Sequence, residues 1–408
     1  MNLDPAPRWV PAATGPASPT HAALSSGRRP ALAALAALGC GLWSASPPGV
    51  AAVPESSPGL PRMAKGVNLS HWFEYERGQG VSAAELQQLR ALGLDHVRIP
   101  VDPVVGGWHP LQGGRLKFLD ELVAAVGLAL QAGLEVVVDL HLEPADKQRI
   151  EDQPESEAGL VQLWTQMAGA LARTPRERVA FELFNEPQYY GLRQRRWPPL
   201  QRRLLAAVRE AAPRHLVLLA GHGGGSFEAL SNLAAESDKQ LAYVFHHYEP
   251  FLFTHQGAAW LDERYTTAGL RRWLRYPPDA AADANAPLAR EHPRAASELA
   301  AYLQSGWGLQ RMRSEFARAA AWAGSRGVRV VCNEFGVIRA NVDPASRYRW
   351  LADVRTALEG HGIGWTVWDY TDIFGITAES ALPNRVGQRT LEEAAVAALG
   401  LMAPKSPR

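Results

Sequence analysis

Two hydrophobic periods alternate along most of this chain. From Met63 onward, short runs of β-branched and aromatic residues, unbroken or alternating with polar ones, read as strands. Each gives way to a longer stretch with apolar residues three and four apart, the spacing of one helix face. Strands are predicted at 64–69, 96–101, 135–141, 179–185, 216–220, 241–245, 328–334 and 363–368. Helices are predicted at 82–92, 116–132, 156–173, 199–212, 297–326, 346–359 and about 390–401. The punctuation agrees. Ser82 with Glu85 three residues later is a capping box, and Gly93 and Gly133 stand where helices should stop. Strands alternating with helices predict a parallel sheet. Eight strands in this alternation over 63–402 predict a closed (β/α)8 TIM barrel. Residues 251–296 break the rhythm as a long insertion holding Trp260, Trp273 and Tyr276, and its alanine-rich 280–290 portion reads as a mobile loop.

A barrel puts the carboxyl ends of all its strands on one face, and polar residues gather at those ends. The fourth strand runs into Asn185-Glu186-Pro187, where proline cannot continue a ladder. The seventh runs into Asn333-Glu334-Phe335-Gly336. Arg98, His141, His246, Tyr248 and Trp368 end other strands, and nothing comparable collects at the strand starts. Two glutamates on two strand ends are what a two-carboxylate sugar hydrolase needs. Other polar residues read differently. Glu182 is mid-strand and reads as an ion pair inside the barrel or toward the helices. Asp139 reads as structural. His247 alternates away from His246 and Tyr248, so it should face the helix layer. Arg98, taken alone, reads as a salt-bridge residue.

Residues 1–52 read as a leader and 53–62 as a linker. Arg28-Arg29 precedes an apolar run at 31–43, and small residues follow at 45–52, the order of an export signal. The run is too short to span a bilayer. The arginine pair also fits a twin-arginine signal loosely, Leu38-Gly39-Cys40 faintly resembles a lipoprotein site, and the whole stretch is open to reading as a disordered tail. The expected location is periplasmic or secreted. With the leader removed, Cys332 is left without Cys40, and no internal disulfide forms.

Composition narrows the partners. The 408 residues carry 42 Lys+Arg against 41 Asp+Glu, which gives no electrostatic footprint for nucleic acid or an anionic membrane. Thirteen tryptophans exceed what core filling alone needs, and those at the rim would suit stacking on sugar rings.

Six segments, in order, carry a family resemblance. Arg98-Ile99-Pro100, Asp139-Leu140-His141, Asn185-Glu186-Pro187, His246-His247-Tyr248, Asn333-Glu334-Phe335-Gly336 and Trp365-Thr366-Val367-Trp368 resemble glycoside hydrolase family 5. That family holds many bacterial cellulases, mannanases and other β-glycanases, and the resemblance covers about 63–400. It implies a single catalytic domain with Glu186 as acid/base and Glu334 as nucleophile. Arg98 and Tyr248 would keep Glu334 ionised, and Asn185 would bond the sugar 2-hydroxyl. His141 and His246 would hold the sugar and the acid/base network, and Trp368 would be the floor under the scissile sugar. The acid's pKa should be raised by burial and by the neighbouring charge. His71, Trp72 and Trp260 are candidates for further substrate contacts, Trp260 because Thr254-His255-Gln256-Gly257 beside it resembles a run in some members. Trp72, Trp108, Trp260 and Trp273 equally read as loop packing. The implied activity is retaining, endo-acting hydrolysis of a β-linked glucan, β-1,4-glucan first, with mannan, xyloglucan or β-1,3-glucan as alternatives. No cofactor is implied.

Two other classes stand beside this reading. A metal-dependent barrel hydrolase would use His141, His246, His247 and the glutamates, but the first strand has no His-x-His pair and no helix carries His-Glu-x-x-His. A non-catalytic carbohydrate-binding barrel would have no need of both carboxylates. No appended carbohydrate-binding module is legible, so a soluble or amorphous glycan is the expected target.

Overall fold

The computed structural model describes residues 59–402, except 76–79, 268–269, 281–287, 289, 379–385 and 388. The leader with Cys40 and most of the 280–290 segment lie outside the described residues. Eight strands are present: β1 Lys65–Asn68, β2 His96–Val101, β3 Glu135–Leu140, β4 Val179–Glu182, β5 Leu216–Ala220, β6 Leu241–His247, β7 Arg329–Phe335 and β8 Gly364–Val367. Each pairs parallel with the next, and β8 returns to β1, closing the barrel. Strands covered on both faces need apolar side chains on both, which is why β3 and β5 read as almost unbroken apolar runs.

The barrel's inside has two zones. Val137, Ala180, Leu216, Leu218, Ala242, Val244 and Val331 pack together in the first, with Leu60 and Met63 covering the end from which the strands start. Gly66 serves this zone: a Cβ there would lie 2.2 Å from His96 Nε2, and the imidazole fills that space to bond Thr366 Oγ1 at 2.8 Å. Toward the strands' carboxyl ends the interior turns polar, through Asn68, Arg98, Asp139, Glu182 and Asn333, all buried.

A bulge sets the phase of β7. Phe245 pairs with Cys332, but the next residue of β6, His246, pairs with Glu334, so β7 carries one extra residue. Val331 and Asn333 already point inward by the period-two rule. The extra residue turns Glu334 inward as well, beside His246.

The helices are α1 Ala83–Ala91, α2 Leu119–Gln131, α3 Pro144–Asp152, α4 Glu157–Leu171, α5 Trp197–Ala211, α6 Phe227–Ser231, α7 Phe251–Thr254, α8 Glu263–Thr266, α9 Leu270–Trp273, α10 Pro293–Leu303, α11 Leu309–Arg326, α12 Pro344–Glu359 and α13 Glu393–Ala398. The Ser82–Glu85 capping box is formed. Two differences from the sequence reading have physical causes. Helix α3 has too few apolar residues to show a period, and it is started instead by Pro144 at its first position. The single helix expected at 297–326 is two, because Gly306 takes a left-handed φ of 64° and Gly308 an extended one, which lets Trp307 turn into the core. Among the described residues the 251–296 insertion holds α7, α8, α9 and the start of α10. Among the described residues no helix is long and apolar enough to cross a membrane.

Candidate active site

Arg98 has no exposed surface and is the hub of the polar zone. Its Nε and NH2 donate to the two oxygens of Glu182 at 2.8 and 2.9 Å, a planar two-pronged pair. NH1 donates to Asn68 Oδ1 at 2.9 Å and to Glu334 Oε1 at 2.7 Å, and NH2 also reaches Asn185 Oδ1 at 2.9 Å and Asp139 Oδ2 at 2.8 Å. Glu182, which the structure places at the end of β4 rather than mid-strand, is thus a barrel-interior ion pair. Three carboxylates surround one cation, and burial pushes Asp139 up to about 6 against the pull of Arg98.

The same hub fixes the proton positions around Asn185. A guanidinium only donates, so the Asn185 atom facing Arg98 is the carbonyl oxygen, and the amide nitrogen faces His141 Nε2 at 3.1 Å. Nε2 must then accept, which places the imidazole proton on Nδ1, where it is donated to Asp139 Oδ2 at 2.8 Å. Burial, helped by Lys147, takes His141 down to about 3, so the ring is neutral, as this chain of bonds requires. Asn185 keeps a second amide hydrogen for a ligand. The Trp368 ring stacks on His141 with centroids 5.5 Å apart, and only 8% of Trp368 is exposed.

Glu186 and Glu334 face each other across His246. Glu334 Oε1 is held by Arg98, and its Oε2 accepts the Tyr248 hydroxyl at 3.0 Å and lies 3.3 Å from His246 Nδ1. The same Nδ1 is 2.8 Å from Glu186 Oε1. One ligand atom each from Glu186, His246 and Glu334 lies within 4.8 Å of the other two. Glu186 comes after β4 ends, and its φ of 44° turns the chain back over the barrel mouth. Gly225 lies opposite at φ 77°, where a Cβ would stand 3.0 Å from the His246 ring and 3.3 Å from Glu186 Cγ. Its carbonyl accepts the His246 N–H at 2.8 Å.

The electrostatics place a proton in this group. Burial pulls His246 down, but the Glu334 charge and the Glu186 hydrogen bond and charge outweigh it, so the imidazole is raised and keeps its second proton to higher pH than a free ring. Burial pushes Glu186 up, yet the His246 bond and charge bring it down to about 2. The sequence reading expected a raised Glu186. The difference arises because both carboxylates approach His246 Nδ1, so the proton rests on nitrogen and reaches Glu186 along the 2.8 Å bond. Burial and Glu334 raise Tyr248, which stays a hydrogen-bond donor.

Residues 57–373 match the model of the family described as Cellulase (glycosyl hydrolase family 5). The chain belongs to this family. It is 25% identical over 346 residues to Endoglucanase 3 of Fibrobacter succinogenes, spanning 78% of this chain and 51% of that one. To Endoglucanase C of Acetivibrio thermocellus it is 26% identical over 319 residues, 75% of this chain and 90% of the other. The chain thus spans about half the length of the first relative and most of the second. The crystal structure of endoglucanase Cel5A from Thermotoga maritima superposes with a TM-score of 0.65 and 22% identity, covering 83% of this chain and 97% of that one, a likeness of fold.

The remaining family-motif residues and rim candidates separate. His71 lies at the mouth, with Nε2 3.4 Å from Asp372 Oδ2. Trp260 is 42% exposed, edge-on to His255 at 6.5 Å, and its neighbours Ala258 and Leu261 pack with Trp368. Thr254 donates to the Tyr248 carbonyl at 2.6 Å, so the run beside Trp260 braces the tyrosine. Trp72 is not brought to the carboxylates. It stacks near Phe73 at 5.7 Å and lines a recess with Gly80, Ala124 and Leu128, on the side of α2. Trp108 is buried packing. His247 faces outward, stacked on Trp350 at 5.9 Å, so a His141–His246–His247 ligand set does not assemble. Glu186, His246 and Glu334 are close enough to hold a cation, but Glu334 already has both oxygens committed to Arg98 and Tyr248.

Three polar residues of the site were not singled out in the sequence. Asn68 ends β1 and Asn333 lies two residues before the end of β7; they bond Arg98 and Glu182, at 2.9 and 2.6 Å. Glu74 carried no signal, since an acid in the loop after β1 reads as solvated. It is fully buried. Oε1 accepts the His71 N–H at 3.2 Å, and among the described residues Oε2 lacks a hydrogen-bond partner, 3.9 Å from His141 Nε2. Burial, with Asp139, Glu143 and Glu334 nearby, pushes it well up against the His71 bond, so it is a neutral acid.

Proposed function

We propose that this protein is a retaining, endo-acting glycoside hydrolase of β-linked glucan, with β-1,4-glucan as its substrate, Glu334 as nucleophile and Glu186 as acid and then base. The observation that carries the mechanism is the spacing: Glu186 and Glu334 bring carboxylate oxygens within 4.8 Å of each other and of His246. Retaining enzymes hold their carboxyl groups about 5–5.5 Å apart, whereas inverting ones keep about 6.5–9.5 Å to admit a water. The endo action and the glucan are supported by the names of the relatives, endoglucanases of two organisms.

In this reading Arg98 and Tyr248 hold Glu334 aimed at the anomeric carbon of a sugar lying over Trp368. Glu186 receives the proton from His246 Nδ1 and gives it to the glycosidic oxygen as the C–O bond breaks and the Glu334 ester forms. Ester formation removes the Glu334 charge. Glu186, now ionised, takes a proton from water, whose oxygen attacks the same carbon and frees Glu334. Asn185 offers its spare amide hydrogen to the 2-hydroxyl. His71 and Trp260 are the rim residues placed to touch further sugars.

The test is reducing-sugar release from carboxymethylcellulose, mixed-linkage β-glucan, glucomannan, xyloglucan and laminarin, with Glu334→Ala as blank. Release from the first two, abolished in the variant, is expected. Release from mannan or laminarin alone would replace the substrate and keep the mechanism. We also propose export to the periplasm or medium, supported by the basic, apolar, small-residue order of 28–52. Fractionation of cells expressing the full chain checks it.

A further inference from the structure

Helix α3 turns an unusual face inward. Residues 147, 150 and 151 of Pro144–Asp152 are buried at the three-and-four spacing of a core-facing stripe, yet only Ile150 is apolar. The other two are Lys147 and Glu151. This face packs on the loop after β4. Glu151 Oε1 accepts the N–H of Gln188, two residues after Glu186, at 2.8 Å, and the Glu151 carbonyl accepts Arg196 NH1 at 2.6 Å. Lys147 lies one turn earlier on the helix, toward the β3 end that carries His141.

Lys147 is 2% exposed, its aliphatic stem covered by its neighbours. Among the described residues its ammonium makes no hydrogen bond and no ion pair, and the nitrogen is not sealed from solvent. A buried cation without a bonded partner is costly unless carboxylates stand around it. They do. Asp139 at the end of β3, Glu143 and Glu151 at the two ends of α3, and Glu186 after β4 all feel the Lys147 charge, as does His141. The other charged and titratable groups facing this space are His71 and Glu74 after β1, Arg98 and Asp102 of the β2 end, Asp146 and Asp152 of α3, Tyr190 and Arg193 after β4, His246 of β6 and Glu334 of β7.

The acid step changes which of these charges face Glu186. While His246 carries the shared proton, the imidazolium offsets the Glu186 carboxylate at 2.8 Å. Once that proton has passed through Glu186 to the glycosidic oxygen, the C–O bond has broken and the Glu334 ester has formed, the ring is neutral and Glu186 is left ionised. The arginines nearby are committed elsewhere: Arg98 to Asp139, Glu182 and Glu334, Arg193 to Asp152 and Arg196 to Glu157. We propose that Lys147 is a positioning residue for the acid step, an unbonded charge held on α3 to stabilise the Glu186 carboxylate that remains when the shared proton has left. It gives up no proton and forms no bond. The inference rests on the assignment of Glu186 as acid and deepens it. Lys147 then speeds departure of a basic leaving group, which needs the acid, and does nothing for an activated one, which leaves without it.

Phenyl and dinitrophenyl β-cellobioside separate these cases, because they differ in the basicity of the leaving group and neither places a sugar beyond the cleaved bond. The ratio of their kcat/KM values does not depend on the fraction of enzyme folded. Methionine keeps the unbranched stem of Lys147 without its charge, and arginine keeps the charge. Lys147→Met is expected to lower the phenyl-to-dinitrophenyl ratio about tenfold, and Lys147→Arg to stay near the parent. With a positive charge gone, the Glu186–His246 pair holds its proton more tightly, so the alkaline limb for the phenyl substrate should move to higher pH in Lys147→Met. A ratio unchanged in Lys147→Met, an alkaline limb that stays in place, or a ratio lowered equally by Lys147→Arg overturns the assignment and leaves Glu186 its role. No turnover of either substrate by the unaltered protein overturns both readings.

Discussion

His246 and Glu186 hold one proton between them across 2.8 Å, from Nδ1 to Oε1. Glu334 Oε2, 3.3 Å from the same Nδ1, adds its charge to the pull that raises the imidazole. The two carboxylates therefore communicate through the ring. Neutralising Glu334 weakens the hold of His246 on the proton, and the acid is supplied at the step where the nucleophile is consumed.

The alkaline limb of activity follows from this pair. His246 is raised above 6.5, so the pair keeps its proton to higher pH than a free imidazole and loses it as pH rises past that raised value. kcat/KM should therefore fall only above pH 6.5, in one proton step. His246→Gln removes the bond and charge that hold Glu186 down, and the limb then belongs to Glu186 alone and should shift acidward. kcat at neutral pH should drop about 10²-fold. A pH–rate profile of both proteins checks this, and an unmoved alkaline limb would sink it.

Arg98→Lys tests the hub. Lysine cannot span the two oxygens of Glu182 and still reach Asn68 and Glu334, so fully buried acids would lose their partner. Breaking such a cluster costs about 3–5 kcal/mol. A large fall in Tm together with lost activity is expected by thermal unfolding and assay. A variant as stable as the parent would show that the cluster contributes little.

Glu74→Gln should act on stability in the opposite sense. The folded carboxyl is raised well above 4.5, whereas the unfolded one ionises near its ordinary value. Above that value the unfolded state sheds a proton that the folded state keeps, so the parent loses stability as pH rises, by up to about 1.4 kcal/mol per pH unit for this one group. Glutamine has no such dependence. Urea unfolding should find the two proteins similar near pH 4 and the variant increasingly favoured toward pH 8. A stability difference flat in pH would show that Glu74 is ionised in the fold.

The legible parts of this molecule were those governed by local periods. The strand runs, the polar residues at their ends, the Ser82–Glu85 cap and the outward turn of His247 all follow from alternation within a few residues. What was hidden depended on partners distant in sequence. The inward phase of Glu334 needs the register shift against β6. Glu74 is buried by elements contributed elsewhere in the chain, and nothing in its neighbourhood distinguishes it from a solvated loop acid. Trp72 and Trp260 both sit on loops, and only the packed structure sends the first toward α2 and leaves the second exposed at the mouth. The break before α11 was written in Gly306 and Gly308, but the helical period on both sides masked it.

The division of labour between the carboxylates can be read from stereochemistry. Glu334→Gly removes a group held by Arg98 and Tyr248 and leaves space beneath the anomeric carbon. Hydrolysis of an aryl β-cellobioside should fall by about 10⁴-fold or more. Azide entering that space attacks from the face Glu334 used, and with no glycosyl-enzyme formed the product is the α-glycosyl azide. Glu186→Gly leaves the nucleophile in place. An activated aryl leaving group departs without the acid, the ester on Glu334 accumulates, and azide then attacks it from the opposite face to give the β-glycosyl azide. Proton NMR of the anomeric signal distinguishes the two products. The β product from Glu334→Gly with the α product from Glu186→Gly would exchange the assigned roles, and the β product from neither would remove the double displacement altogether.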